Sequence, residues 1–371
     1  MMRRKSLAKI RLLITAASSL LCLIGLLLYQ VGCKALPARD LRARLAEAKP
    51  TLSWPPPPNP PRIVFLKSFY GPGDFGIEKN VFERLGEALF GGSTVSLLRP
   101  VSVATDKYGS LYIVDAGAQL IHVYDNRAFK YYTFGKIKTA PYRLESPVSA
   151  VVDDKGFIYV SDSVLRKVFK FDSSGKNVSE FGGPDTFLRP TGLALSRDGN
   201  SLYVVDTLRH KIFLFDLAGG EITSFGQNGS EPGAFNFPTF LTLAQSGDLI
   251  VSDSLNFRIQ VLEPDGTPKS SFGQVGDGTG DFARPKGLAV DSEGHIYVAD
   301  SDYDNIQVFD TAGNLLLVIG ANGIADGEFV LPVGLSVDAN DYIYVADSHN
   351  QRIQVFRYLK GESPVARAVE P

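Results

Sequence analysis

The sequence is poor in the residue types that carry chemistry. It has two cysteines, Cys22 and Cys33, both close to the N-terminus. Everything after them can hold neither a disulfide nor a thiol site. There is no excess of positive charge, with 38 basic against 40 acidic residues. Five of the basic residues lie in positions 3–11, so the remainder carries 33 against 40, a balance of about −7. That excludes a broad basic face of the kind nucleic acid requires. Long helices are excluded as well, because glycine or proline interrupts most of the chain about every ten residues. One long uncharged run exists, Leu12 to Val31, and it sits at the N-terminus.

What the chain has is repetition. The stretch Pro285-Lys-Gly-Leu-Ala-Val-Asp-Ser-Glu-Gly-His-Ile-Tyr-Val-Ala-Asp300 recurs nearly intact from Pro332 to Asp347. Looser copies start at Pro100, Pro147, Pro190 and Pro238. The closing aspartates fall at 115, 162, 206, 253, 300 and 347, a period of 47, 44, 47, 47 and 47. A period of this length marks a propeller or a solenoid. Each unit reads as four short strands, such as 287–290, 296–299, 306–309 and 315–319. Turn chemistry separates them, with Asp291-Ser-Glu-Gly294 after the first and Asp310-Thr-Ala-Gly313 after the third. The strands are apolar in both alternation phases, which fits sheets buried on both faces.

The unit resembles the NHL repeat in its Pro-x-Gly-Leu-Ala-Val-Asp, Gly-x-Ile-Tyr-Val-Ala-Asp-Ser and Arg-Ile-Gln-Val-Phe segments. The resemblance spans about Arg62 to Arg357 in six copies. It implies an all-β fold, a six-bladed β-propeller, used in most such families as a binding platform. Partners differ widely between these families, so the resemblance implies a class of function and no specific partner.

Four further regions flank or interrupt the repeats. Residues 1–33 pair a basic start (Arg3, Arg4, Lys5, Lys9, Arg11) with the apolar run. This is the pattern of a signal peptide, and the run is long enough to span a bilayer uncleaved. It ends Tyr-Gln-Val-Gly32-Cys33, which resembles a bacterial lipobox with Cys33 as the lipidated residue; Gln30 departs from the usual aliphatic residue. Either reading puts the remainder outside the cytoplasm, in the bacterial cell envelope and anchored to a membrane. Residues 34–61 read as a linker whose prolines, from Pro50 to Pro61, predict an extended polyproline stalk. Within it Leu41, Leu45 and Ala48 hint at a short helix. Residues 72–99 are an insertion in which Ile77, Val81, Leu85 and Leu89 predict one helical face, a cover or a lid. Residues 358–371 form a tail.

The segment Ile63–Phe69 looks like a fourth strand with no blade before it, while the sixth repeat lacks a fourth strand after Phe356. The expectation is that Ile63–Phe69 completes the last blade and closes the ring, removing exposed edges. Three late loops share a glycine pattern: Gly226, Gly229, Gly233 with Phe235, then Gly273, Gly276, Gly280 with Phe282, then Gly320, Gly323, Gly327 with Phe329. No lysine-serine pair or strand-loop-helix context accompanies them, so they predict tight turns with a phenylalanine wedge and no phosphate cradle.

The ring Asp115, Asp162, Asp206, Asp253, Asp300 and Asp347 invites a carboxylate or calcium site. The preferred reading is structural: each aspartate ends a strand and caps its own turn. Five residues on stand Lys167, Lys211, Arg258 and Arg352, expected to pair with it in partly exposed ion pairs. The residue before each Pro is Arg99, Ser146, Arg189, Phe237, Arg284 and Leu331. Arg99, Arg189 and Arg284 would ring one channel mouth as a binding surface for carboxylate or phosphate, or else pair with the Asp ring.

No metal site or cofactor is implied. The four histidines, His122, His210, His295 and His349, occupy different repeat positions. No histidine ring therefore faces the axis, unlike the zinc-binding amidoglycolate-lyase propellers, whose repeat type this chain resembles. The expectation is a membrane-tethered binding or scaffold module for a protein, peptide or glycan partner, without nucleic acid. The alternative is a metal-dependent propeller enzyme of lactonase or amidoglycolate-lyase type.

Overall fold

A computed structural model describes residues 41–75, 96–135 and 143–360. The leader with Cys33, the predicted helix over 77–90 and the tail from 361 onward lie outside the described residues. Among the described residues, no helix is long and apolar enough to cross a membrane.

The strands form six antiparallel sheets. Blade 1 consists of Pro100–Thr105, Leu111–Asp115, Leu120–Asp125 and Lys130–Phe134, in that order from the axis outward. Blades 2 to 6 begin at Pro147, Pro190, Pro238, Pro285 and Pro332. The second strand of each blade, such as Ile296–Asp300, is buried along its whole length, save for Ser201 at the start of that of blade 3. Fourth strands such as Leu315–Ile319 alternate between covered and open positions, as outer edges do. Six apolar clusters each bridge two neighbouring blades; Tyr159 and Val168 of blade 2, for example, pack on Leu193, Val204 and Phe213 of blade 3. The core is thus a ring of interfaces, which explains strands that are apolar on both sides.

The Pro-x-Gly start has a steric cause. A Cβ on Gly334 would lie 2.6 Å from the Val101 carbonyl oxygen, and one on Gly192 2.7 Å from Cα of Phe240. Both contacts are to the innermost strand of the next blade, so glycine lets the inner strands close around the axis. Thr207, Ser254 and Ser301 then donate to the carbonyls of Pro238, Pro285 and Pro332 at 2.7, 2.7 and 2.6 Å. These hydroxyls, each directly after a ring aspartate, stitch one blade to the next.

Blade 6 takes its fourth strand from the other end of the chain. Strand β2 (Ile63–Phe69) pairs antiparallel with Arg352–Tyr358, as the ring-closure argument requires. The proline-rich segment departs from expectation. It does not run as an extended stalk: Ser53–Trp54 forms strand β1, paired with Val64 and Ile63. Residues 55–62 turn back between them, closed by Arg62 N–H donating to the Trp54 carbonyl at 2.8 Å. Trp54 meets Phe356 edge-on, 5.6 Å between ring centres. Proline is excluded from sheet interiors but not from an edge, and β1 is the outermost strand of its sheet.

Helix α1 (Leu41–Ala46) buries Leu41 and Leu45 in the cluster between blades 6 and 1. Arg42 reaches Asp338 at 3.2 Å, and the Leu41 N–H reaches Asn126 at 2.8 Å. Both partners lie where first and third strands end. That face is called the bottom here; the face where the innermost strands begin is the top. The late glycine loops behave as predicted: Phe235, Phe282 and Phe329 are buried, and a Cβ on Gly226 (φ 93°) would lie 2.6 Å from the Phe235 ring.

Candidate functional site: the upper mouth of the channel

The innermost strands enclose a channel of about 330 Å³. Each blade gives it an aliphatic side chain: Val103, Ala150, Leu193, Leu241, Leu288 and Leu335. Hydroxyls from Ser102, Ser149 and Thr242 are interspersed, and no carboxylate, imidazole or lysine is among the lining residues. Among the described residues, no group of three His, Cys, Asp or Glu could hold a metal ion.

The Asp ring is structural. All six carboxylates are fully buried. Asp115 accepts from the N–H groups of Leu98, Arg99 and Ala118 at 2.7, 3.0 and 2.8 Å. Asp206 does the same with Leu188, Arg189 and Arg209 at 2.6, 3.0 and 3.1 Å. Asp115 and Asp206 thus tie the incoming loop to their own turns, and Asp253 and Asp347 do so through the Asn256 and Asn350 side chains. Burial works to raise the Asp115 pKa, but the bonds from His122 and the backbone outweigh it and the net shift is downward. Asp300 has only backbone donors, burial wins, and its pKa is raised.

The basic residues five positions on divide in two. Arg258 meets Asp253 at 2.9 Å and Arg352 meets Asp347 at 2.7 Å. The Arg258 pair is partly exposed, but the Arg352 pair departs from expectation: Arg352 is 1 % exposed, and its guanidinium also donates to the carbonyls of Ile324, Ala325 and Glu328. Lys167 instead pairs with Glu180 across its own hairpin, and the structure shows no ion pair from Lys211 to Asp206. A planar fork can donate to a carboxylate and three carbonyls at once, whereas an ammonium cannot span that set.

Arg99, Arg189 and Arg284 sit where expected, on the top before the innermost strands. It is their backbone N–H groups, not their guanidiniums, that the ring aspartates accept. All three side chains are exposed. Arg284 lies 3.5 Å from Asp302, also exposed; among the described residues neither Arg99 nor Arg189 meets a carboxylate within ion-pair distance.

Lys286 was not singled out from the sequence. It is the second residue of an innermost strand, half-buried, where the other blades carry Val101, Val148, Thr191, Thr239 and Val333. Burial depresses its pKa, and the charges of Arg284 and Arg189 add to the effect against Asp302 and Asp300. Arg189 belongs to blade 3 and Lys286 to blade 5, so the influence reaches across the intervening blade 4. The available signal was the lone charge at the x of Pro-x-Gly.

The histidines stay out of the channel wall. His122 fills, in blade 1, the place of Gln260 and Gln354, 3.3 Å from Asp115. His210 accepts from the Phe237 N–H at 3.1 Å, His295 lies 2.9 Å from Asp291 at the bottom, and His349 is exposed.

Residues 235–262, 282–309 and 329–356 match the NHL repeat, and residues 112–225 match a family described as a 6-bladed beta-propeller. The chain carries NHL repeats on a six-bladed β-propeller. No curated protein matches it in sequence. Among solved structures, this NHL propeller superposes on a streptogramin B lyase with a TM-score of 0.54 at 12 % identity, over 72 % of this chain and 96 % of that one. A virginiamycin B lyase from Staphylococcus aureus gives 0.52 at 13 %, over 70 % and 95 %. A putative gluconolactonase gives 0.54 at 13 %, over 71 % and 89 %. At such identities the likeness extends to the fold alone.

Proposed function

We propose that this NHL propeller is a membrane-tethered, extracytoplasmic scaffold of the bacterial envelope that binds an anionic protein, peptide or glycan partner at the upper mouth of its channel. The observation that carries the reading is the cationic cluster there: three exposed guanidiniums and a desolvated ammonium above an uncharged channel. Guanidiniums whose backbones are fixed by buried aspartates are pre-positioned for carboxylate or phosphate. Two features favour binding over the metal-dependent lactonase or lyase alternative. The channel wall offers no carboxylate or imidazole, and the ring aspartates are consumed by backbone N–H groups. The tether reading rests on the basic start, the uncharged run and Cys33.

Two readouts test this. Lipid labelling should depend on Cys33 and disappear in Cys33→Ala; an unlabelled parent points to the uncleaved helix instead. In titrations with an acidic peptide, the triple variant Arg99→Ala, Arg189→Ala, Arg284→Ala should bind about tenfold more weakly or worse. Its melting temperature should fall by no more than about 3 °C. Lys286→Met should also weaken binding without loss of stability, because a lysine with a lowered folded pKa costs stability while it is charged. Normal binding by a destabilised triple variant would make the arginines struts.

A further inference from the structure

One of the three late repeats lacks a piece that the other two share. In blade 4, Arg258 fills the space under the glycine loop and donates to the carbonyls of Glu231 and Ala234 at 3.1 and 3.1 Å. In blade 6, Arg352 does the same with Ala325 and Glu328 at 2.7 and 2.8 Å. The corresponding residue of blade 5 is Asn305, three heavy-atom bonds shorter in reach than either arginine. The corresponding carbonyls belong to Gly278 and Asp281, and the space beside them is a cavity of about 310 Å³ lined by the 277–281 loop, Tyr303, Asn305 and Gln307.

The polar atoms of that cavity are left over in a particular way. Gln260 and Gln354 accept from Gly233 and Gly327 at 3.0 and 2.8 Å. Gln307 is 3 % exposed, and its Oε1 has no partner; neither has Oδ1 of Asn305. The orientation of Gln307 is fixed, because its Nε2 donates to the Asp281 carbonyl at 2.8 Å. Asp277 and Asp281 stand at the rim. Behind it, Asp300 has backbone donors only, where Asp253 and Asp347 each have an arginine. The cavity therefore presents two unpartnered amide oxygens beneath a rim of two carboxylates, of which Asp281 also accepts from the Gly278 N–H at 3.0 Å.

We propose that the blade-5 cavity is a receptor for a guanidinium, the arginine side chain of a partner peptide seated where Arg258 and Arg352 sit in the flanking blades. The planar fork would meet the carbonyls of Gly278 and Asp281, the counterparts of those that hold the two internal arginines, together with the unpartnered amide oxygens of Asn305 and Gln307. The cavity opens on the same top face as the cationic mouth but shares none of its residues, so the two sites can fail separately.

The test uses the full chain and two probes, acetyl-Gly-Arg-Gly-amide and acetyl-Gly-Lys-Gly-amide, with calcium chloride as a third. The arginine peptide should bind saturably and at least about tenfold tighter than the lysine peptide. Asn305→Arg should abolish that binding by filling the site internally, and should raise the melting temperature by about 2 °C or more. The Arg99, Arg189, Arg284 triple variant should retain it. Should Asn305→Arg fail to fold, backbone amide shifts at residues 278–281 and at the Gln307 side chain in the parent decide the matter. Equal binding of both peptides, binding that survives Asn305→Arg, or calcium bound in place of the arginine peptide would each overturn the assignment.

Discussion

Deleting Ile63–Phe69 should turn the propeller into an aggregating product. The strand buries Ile63, Val64, Phe65 and Phe69 almost completely. Four such side chains, at about 1.5–3 kcal/mol each, approach the whole stability of an ordinary domain. The deletion also strips the pairing from Arg352–Tyr358 and leaves an apolar edge open to other molecules. It removes the partner of β1 as well, so Trp54 loses the strand that holds it against Phe356. Gel filtration and thermal melting check this; a truncated chain that stays monomeric and melts like the parent would mean the ring does not depend on its closure.

Arg352→Ala is the second large effect. The guanidinium is fully buried between Asp347 and the carbonyls of the 324–328 loop. Its removal leaves a buried carboxylate without its cation and takes one donor each from the carbonyls of Ile324, Ala325 and Glu328, a loss of about 3–5 kcal/mol. In a domain of this size that lowers the melting temperature by roughly 10 °C. Arg284→Ala, at an exposed position, should change stability by no more than about 0.5 kcal/mol. The contrast between two arginines of one repeat family separates strut from surface.

The fold was legible because its cause is periodic. A 47-residue spacing of Asp300 and Asp347, with glycine and proline at fixed offsets, leaves few alternatives to stacked four-stranded units. Chain closure followed from one missing strand at one end and one surplus strand at the other. The proline segment was misread because composition alone reports what proline forbids. Its tertiary use, an edge strand carrying Trp54 and a turn, depends on the surface of blade 6, which no local pattern encodes.

The site was half legible. The arginine triad could be placed from strand direction, because Arg99, Arg189 and Arg284 all precede a first strand. Which atoms the ring aspartates would accept from was not readable: backbone and guanidinium of the same residue compete, and only the fold decides. Lys286 escaped notice because one lysine in a variable position looks ordinary until the strands converge around the axis. The blade-5 cavity escaped for the opposite reason. Asn305 is a conservative-looking polar residue, and its consequence appears only against the arginines that fill the same space in blades 4 and 6.

The central claim is the partner site proposed at the top of the propeller. The most direct measurement places a photo-crosslinking residue in living cells at Leu208, exposed in a top loop beside Arg209, or at Asp265, exposed in a bottom hairpin. The account predicts a discrete crosslinked species from position 208 that vanishes in the Arg99, Arg189, Arg284 triple variant, and none from position 265. A species from position 265 alone, unchanged by the triple variant, would contradict it.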